Sequence, residues 1–130
     1  MSRYNSTETA EFVKWIHDLV TCGGYSLLRC KDYEQEEQCE DKLLGYYDRK
    51  GIYIIPDRVF TLAESFLKEK NISVKELEMK LLISGYIRNE DDGVKFRYLR
   101  QKRIGKTKKR YLTFLPTVLF SKEELTQMKI

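Results

Sequence analysis

Between Val94 and Arg110 the chain carries nine Lys and Arg residues and no acid, set into a strand-like alternation. Val94, Phe96 and Tyr98 interleave with Lys95 and Arg97, and further on Tyr111, Thr113 and Leu115 interleave with Leu112 and Phe114. A period of two with aromatic and β-branched residues marks strand rather than helix. Ile104-Gly105-Lys106-Thr107-Lys108 separates the two runs, and Gly105 can supply the positive φ that a tight reversal needs. Residues 94 to 115 are therefore expected to form a long hairpin with a cationic tip.

The charge of this hairpin is out of proportion to the rest of the chain. The 130 residues include 24 basic and 20 acidic ones, a formal +4. Nine of the basic residues lie in Val94–Arg110, so a +9 segment sits on a body of 15 basic and 20 acidic residues, net −5. Localised positive charge suits a polyanion, because each phosphate neutralised by Lys or Arg releases condensed counterions. Lysines also guard edge strands against aggregation. Nine cations without a compensating acid exceed what that protection requires.

At 42% hydrophobic residues the chain suits one compact domain with a helical extension. Its apolar runs are far shorter than the roughly 20 residues that span a bilayer, and Met1-Ser2-Arg3-Tyr4 has no apolar signal core. Three cysteines at wide spacing, Cys22, Cys30 and Cys39, fit reduced thiols better than a disulfide framework. A cytoplasmic protein is expected, with no membrane partner, no small-molecule substrate and no cofactor.

Asn5-Ser6-Thr7-Glu8 offers helix caps ahead of Phe12, Val13, Ile16, Leu19 and Val20, which share one helical stripe ended by Gly23-Gly24. Residues 25 to 44 include the acidic run Asp32, Glu34, Glu36, Glu37, Glu40 and Asp41 and read as a loop with a short polar helix. Leu43–Tyr47 and Ile52–Ile55 bracket the turn Asp48-Arg49-Lys50-Gly51 and predict a small hairpin. Pro56-Asp57 then opens a helix carrying Val59, Phe60, Ala63, Phe66 and Leu67, which Asn71 ends. Ser73-Val74-Lys75-Glu76 matches a capping box and starts a second helix running to about Gly85. The four-residue connection Glu69–Ile72 forces those helices to pack at an angle. Ser121–Glu124 repeats the capping signal before a short terminal helix.

Strand, helix, short turn, helix and basic hairpin is the order of a winged helix-turn-helix domain. The expected fold is α+β, with an N-terminal helix and acidic connecting segment over 1–42, a winged-helix domain over 43–120 and a short C-terminal helix over 121–130. Gly45-Tyr46-Tyr47-Asp48, Ile52–Pro56, Leu81–Ile87, and Arg100–Gly105 closing on Arg110-Tyr111-Leu112 carry a resemblance over about residues 43–115. This stretch resembles the C-terminal segment of primase-helicases carried by phages and mobile cassette elements. The resemblance implies a DNA-engaging accessory domain attached to, or cut from, a hexameric ATPase that replicates a mobile element. With no G-x-x-x-x-G-K-[ST] loop, the chain is not itself the motor.

On this reading the expected partner is nucleic acid, DNA before RNA, together with a helicase or other replication protein. Lys95, Arg97, Arg100, Lys102, Arg103, Lys106, Lys108, Lys109 and Arg110 would contact phosphates without reading bases. The second helix adds Lys75 and Lys80 beside Glu76 and Glu78, but no Arg, Asn or Gln for bidentate base contacts, so sequence specificity should be weak. Tyr98 and Tyr111 offer either base-stacking faces, worth roughly 1–3 kcal/mol each, or cross-strand packing of the hairpin.

Other functional readings find less in the sequence. Pro56-Asp57 followed by Glu78-Met79-Lys80 matches the order of a metal-dependent nuclease, but the acid-x-lysine pair falls inside a helix, where i and i+2 face different ways. His17 and the three cysteines lack the close pairs of a zinc site, and no Ser or Cys has a flagged base, so no catalysis is expected. The alternative is a protein-interaction module. It would dock through the N-terminal helix, where Trp15 stands near Phe12 and Leu19, or through Asp32–Asp41, which could instead fold over the wing and mask it.

Overall fold

Helix α1 spans Thr7–Thr21 in the computed structural model of the chain, which describes residues 7–88 and 99–128 and, within them, all side chains except those of residues 7, 35–40, 88 and 100. Phe12 and Ile16, one turn apart, are fully buried. Each contributes about 1.5–3 kcal/mol by leaving water. Phe12 stacks on Trp15 at 5.5 Å between centroids and meets Phe60 and Phe66 at 6.3 and 5.7 Å. The apolar stripe of α1 thus packs on the domain's own core, fully at Phe12 and Ile16 and in part at Val13, Trp15, Leu19 and Val20. Gly24, at φ +79°, turns the chain away after the helix.

Residues 25 to 44 hold the expected polar helix, in 3-10 form, but also a strand that was not expected. Strand β1, Ser26–Arg29, pairs in parallel with β2, Leu43–Tyr47, and the crossover between them is a 3-10 helix over Cys30–Lys42. Parallel strands require such a crossover. Strand β2 then turns through Asp48–Gly51 into β3, Ile52–Ile54, as an antiparallel hairpin. Gly45 is obligatory in this hairpin, since a Cβ there would collide with the Tyr53 carbonyl.

The helix expected from Pro56 is two segments, α2 at Pro56–Leu62 and α3 at Glu64–Lys70. Ala63, at φ −85° and ψ 4°, separates them, yet the Ala63 amide still donates to the Val59 carbonyl at 2.8 Å and the Leu67 amide to Ala63 at 2.9 Å. The deviation is a local unwinding with the buried face of Val59, Ala63 and Leu67 preserved. Asn71, left-handed at φ 56°, caps α3. Ser73 accepts from the Glu76 amide at 3.1 Å and opens α4, Val74–Ile83.

Strand β4, Ile87–Arg88, follows α4, and the hairpin of β5, Arg100–Ile104, and β6, Thr107–Phe114, comes next. The expected first strand over residues 94 to 98 lies outside the described residues, as do Lys95, Arg97 and Tyr98. The sheet order is β1-β2-β3-β6-β4, with β5 paired to the N-terminal half of β6. Helices α5, Pro116–Leu119, and α6, Lys122–Gln127, complete the chain. A reciprocal capping box joins Ser121 and Glu124, and His17 of α1 holds the Glu124 carboxylate at 2.8 Å.

Two apolar clusters stabilise this α+β arrangement. Ile52, Ile54, Leu112 and Phe114 join Phe12, Ile16, Val59, Leu77, Leu81 and Leu119 in the main core. Tyr53 and Tyr111, at alternate positions of the same strands, enter a second cluster with Leu43, Tyr46 and Ile104. No helix of the described residues is long and apolar enough to cross a membrane.

Candidate nucleic-acid interface

Strand β6 changes character midway. Thr107, Lys108, Lys109 and Arg110 are exposed, whereas Tyr111 through Phe114 are buried. The buried half is held between β3 and β4, and the exposed half pairs with β5 alone. Gly105, at φ +63°, and Lys106 form the two-residue turn that closes the hairpin.

The register sorts the cations by face. Lys102 lies opposite Lys109 and Ile104 opposite Thr107, on the side where Ile104 is buried. Arg103 opposite Lys108, and Gln101 opposite Arg110, occupy the outward side. Arg103, Lys106 and Lys108 are exposed and have no ion pair among the described residues. Two successive cross-strand pairs, Lys102↔Lys109 and Arg103↔Lys108, set like charges side by side. Such pairs are destabilising in the absence of an anion; Asp48 supplies one to Lys102, so the imbalance rests on Arg103↔Lys108.

Several residues expected at the interface are placed otherwise. Lys102 is committed within the fold. Its Nζ lies 3.1 Å from Asp48 Oδ2 and 4.9 Å from the centre of the Tyr53 ring. Lys80, half-buried, is drawn to Glu8 of α1 at 4.0 Å. Tyr111 is 4% exposed and packs edge-on against Tyr46 and Tyr53 at 6.1 and 6.4 Å, so it fastens the hairpin to the sheet and has no face for a base. Glu78, expected on the solvent face of α4, is 8% exposed. Burial pushes its carboxyl above the ordinary glutamate value, with Lys75 pulling it partly back. Lys75 is exposed in the first turn of α4. Arg100 stands in β5 opposite Tyr111.

Asp48 is the main residue that reading the sequence for function overlooked. Its Oδ1 accepts from the Lys50 and Gly51 amides at 2.8 and 3.1 Å and from Tyr53 Oη at 2.8 Å. Burial pushes its carboxyl up, but the hydrogen bonds from Tyr53, Lys102 and Lys50 outweigh burial and hold it below the usual aspartate value. By seizing Lys102, Asp48 sets the β2–β3 turn, with exposed Arg49 and Lys50, beside the basic hairpin. An Asp followed three residues later by Gly is the turn signal that was available for it.

The same carboxylate, together with burial, acts on Cys30. Its thiol is pushed up to about 11, chiefly by burial and then by Asp48, which leaves little thiolate for chemistry. Among the described residues no group of three His, Cys, Asp or Glu side chains is placed to hold a metal ion. The chain matches no family model, no curated protein and no solved structure.

Proposed function

We propose that the chain is a DNA-binding domain of winged-helix type that grips phosphates through the outward face of the β5–β6 hairpin, with low sequence specificity. The carrying observation is the unbalanced cation ladder. Arg103 and Lys108 are exposed opposite one another, with Lys106 at the tip, where a bound phosphate would relieve their mutual repulsion. Arg110 shares that outward face, and exposed Lys109 adds positive charge on the inward one.

Two features support the winged-helix reading. Strands β3, β6 and β4 lie side by side in that order, and α2, α3 and α4 connect β3 to β4. Helix α4, which would approach a duplex groove, presents Lys75, Glu76, Met79 and Ile83 to solvent, a face without bidentate base readers. Affinity would then come from backbone contacts. The resemblance to primase-helicase C-terminal segments fits an accessory role in replicating or mobilising a mobile element, with the motor on another domain or chain and no catalysis here.

Exposed Met79 and Ile83, one turn apart on α4, favour a second reading, a contact with a protein partner. Fluorescence anisotropy of labelled single-stranded and duplex DNA across a salt series separates the two. Binding that falls steeply with salt and is lost when Arg103, Lys106, Lys108 and Lys109 are reversed to Glu supports the phosphate grip. Absence of binding at low salt overturns it and leaves the α4 surface as the place to seek a partner.

A further inference from the structure

The 3-10 helix over Cys30–Lys42 holds six acids, Asp32, Glu34, Glu36, Glu37, Glu40 and Asp41, against Lys31 and Lys42. It packs where the hairpin is most basic. The Tyr33 ring lies against the Gly105 turn so closely that a Cβ on Gly105 would overlap it. Tyr33 also joins the cluster formed by Ile104, Tyr111, Tyr46 and Tyr53 on the hairpin's inward side. That side carries Lys102 and Lys109, while Arg103 and Lys108 face away. A segment of net −4 is therefore seated, through an aromatic anchor, against a hairpin of seven cations and no acid over Arg100–Phe114.

We propose that this acidic segment is an intramolecular competitor for the polyanion. Resting on the DNA reading above, it confines phosphate contact to the outward face of the hairpin. The seat is built to be reversible. Tyr33, its aromatic anchor, is only half-buried, and Asp32 is turned aside to Arg29 at 3.1 Å instead of toward the hairpin. A bound polyanion that reaches Lys109 on the inward side displaces the segment, and a DNA-free chain keeps it in place. The device lowers affinity for stray nucleic acid and demands a ligand long enough to engage both faces.

The test is the salt dependence of DNA binding in matched variants. Glu34→Gln, Glu36→Gln and Glu37→Gln are combined in one chain; Glu64→Gln, Glu69→Gln and Glu123→Gln, on α3 and α6, are combined in another as a control of equal charge. Freeing inward-face cations adds phosphate contacts, each steepening the slope of log K against log salt by about 0.9 on duplex DNA. The first triple variant is expected to bind about three- to tenfold tighter with a slope steeper by one to two contacts, the control to gain affinity without added slope. Tyr33→Ala should steepen the slope with no change in net charge. Should it fail to fold, the first triple variant, which keeps Tyr33, decides alone.

Identical slopes for the two triple variants and the parent chain, all of them binding DNA, would overturn the competitor while leaving the phosphate grip standing. A parent chain that is silent at low salt beside a first triple variant that binds would support it in its strongest form. Silence in every chain would bring down the DNA reading itself, and the competitor with it.

Discussion

Lys102 Nζ meets Asp48 Oδ2 at 3.1 Å across the gap between β5 and the β2–β3 turn, and both side chains are about 29% exposed. Asp48 receives three further hydrogen bonds from its own turn and from Tyr53, so one carboxylate fixes a turn, a strand and the base of the hairpin. Replacing it by Asn keeps the shape but removes the charge. Asp48→Asn should cost about 1–2 kcal/mol, in the range of charge-assisted hydrogen bonds, read from urea unfolding at neutral pH. Because the folded carboxyl titrates below its ordinary value, its contribution is complete above the unfolded value of about 3.9 and is lost as pH falls through the lower folded value. The difference between parent and variant should shrink over that acid window. A difference independent of pH there would show that the charge is not what holds the hairpin.

The two faces of the hairpin should answer differently to substitution. Arg103→Ala and Lys108→Ala each remove an outward cation and should each flatten the salt slope for duplex DNA by about one contact. Lys102→Met, whose cation is already taken by Asp48, should leave the slope unchanged while lowering the unfolding midpoint. If Lys102→Met flattens the slope as much as the other two, the ion pair opens on binding and Lys102 belongs among the phosphate contacts.

Helices α1, α4 and α6, the β2–β3 hairpin and the Gly105 reversal were all legible from spacing and caps, because local rules decide them. Strand β1 was not. Ser26–Arg29 shows no alternation, and its pairing depends on β2, which a 3-10 crossover brings back alongside. The same holds at the interface. Composition pointed to one basic hairpin, and the β5–β6 hairpin carries seven of the expected cations, but which face each one takes depends on register, and register placed Lys102 over Tyr53 and Tyr111 against Tyr46. Lys80 was lost to Glu8 through a contact between α4 and α1, which the linear sequence does not display.

Glu78 is a second point where burial overrode the helical pattern. Its carboxyl titrates above the ordinary value, so between the unfolded value of about 4.3 and the higher folded value the native chain binds more protons than the unfolded one. Stability therefore falls as pH rises through that window and stays reduced above it. Glu78→Gln should raise stability at neutral pH by about 1 kcal/mol, the order of cost for an imperfectly compensated buried group, and should confer no advantage below about pH 4. Thermal unfolding of both chains at neutral and acid pH checks this. A variant that is destabilised at neutral pH would mean that the charge is paired rather than tolerated.

Thr113 poses the uncharged form of the same problem. It sits in β6 between Tyr53 of β3 and Arg88 of β4, 2% exposed, and its Oγ1 has no hydrogen-bond partner among the described residues. A buried hydroxyl without a partner costs about 1–3 kcal/mol, while its methyl group already packs near Gly51 at the start of β3. Valine keeps that methyl, replaces the hydroxyl with a second one, and suits a strand. Thr113→Val should accordingly raise stability by about 1 kcal/mol and the melting temperature by roughly 3–6 °C, a range that follows from the entropy of unfolding of a domain this size. DNA binding should be untouched, since Thr113 lies in the buried half of β6, away from Arg103, Lys106 and Lys108. A variant less stable than the parent would reveal that the hydroxyl has a partner after all, an internal water being the one small enough to fit between the strands.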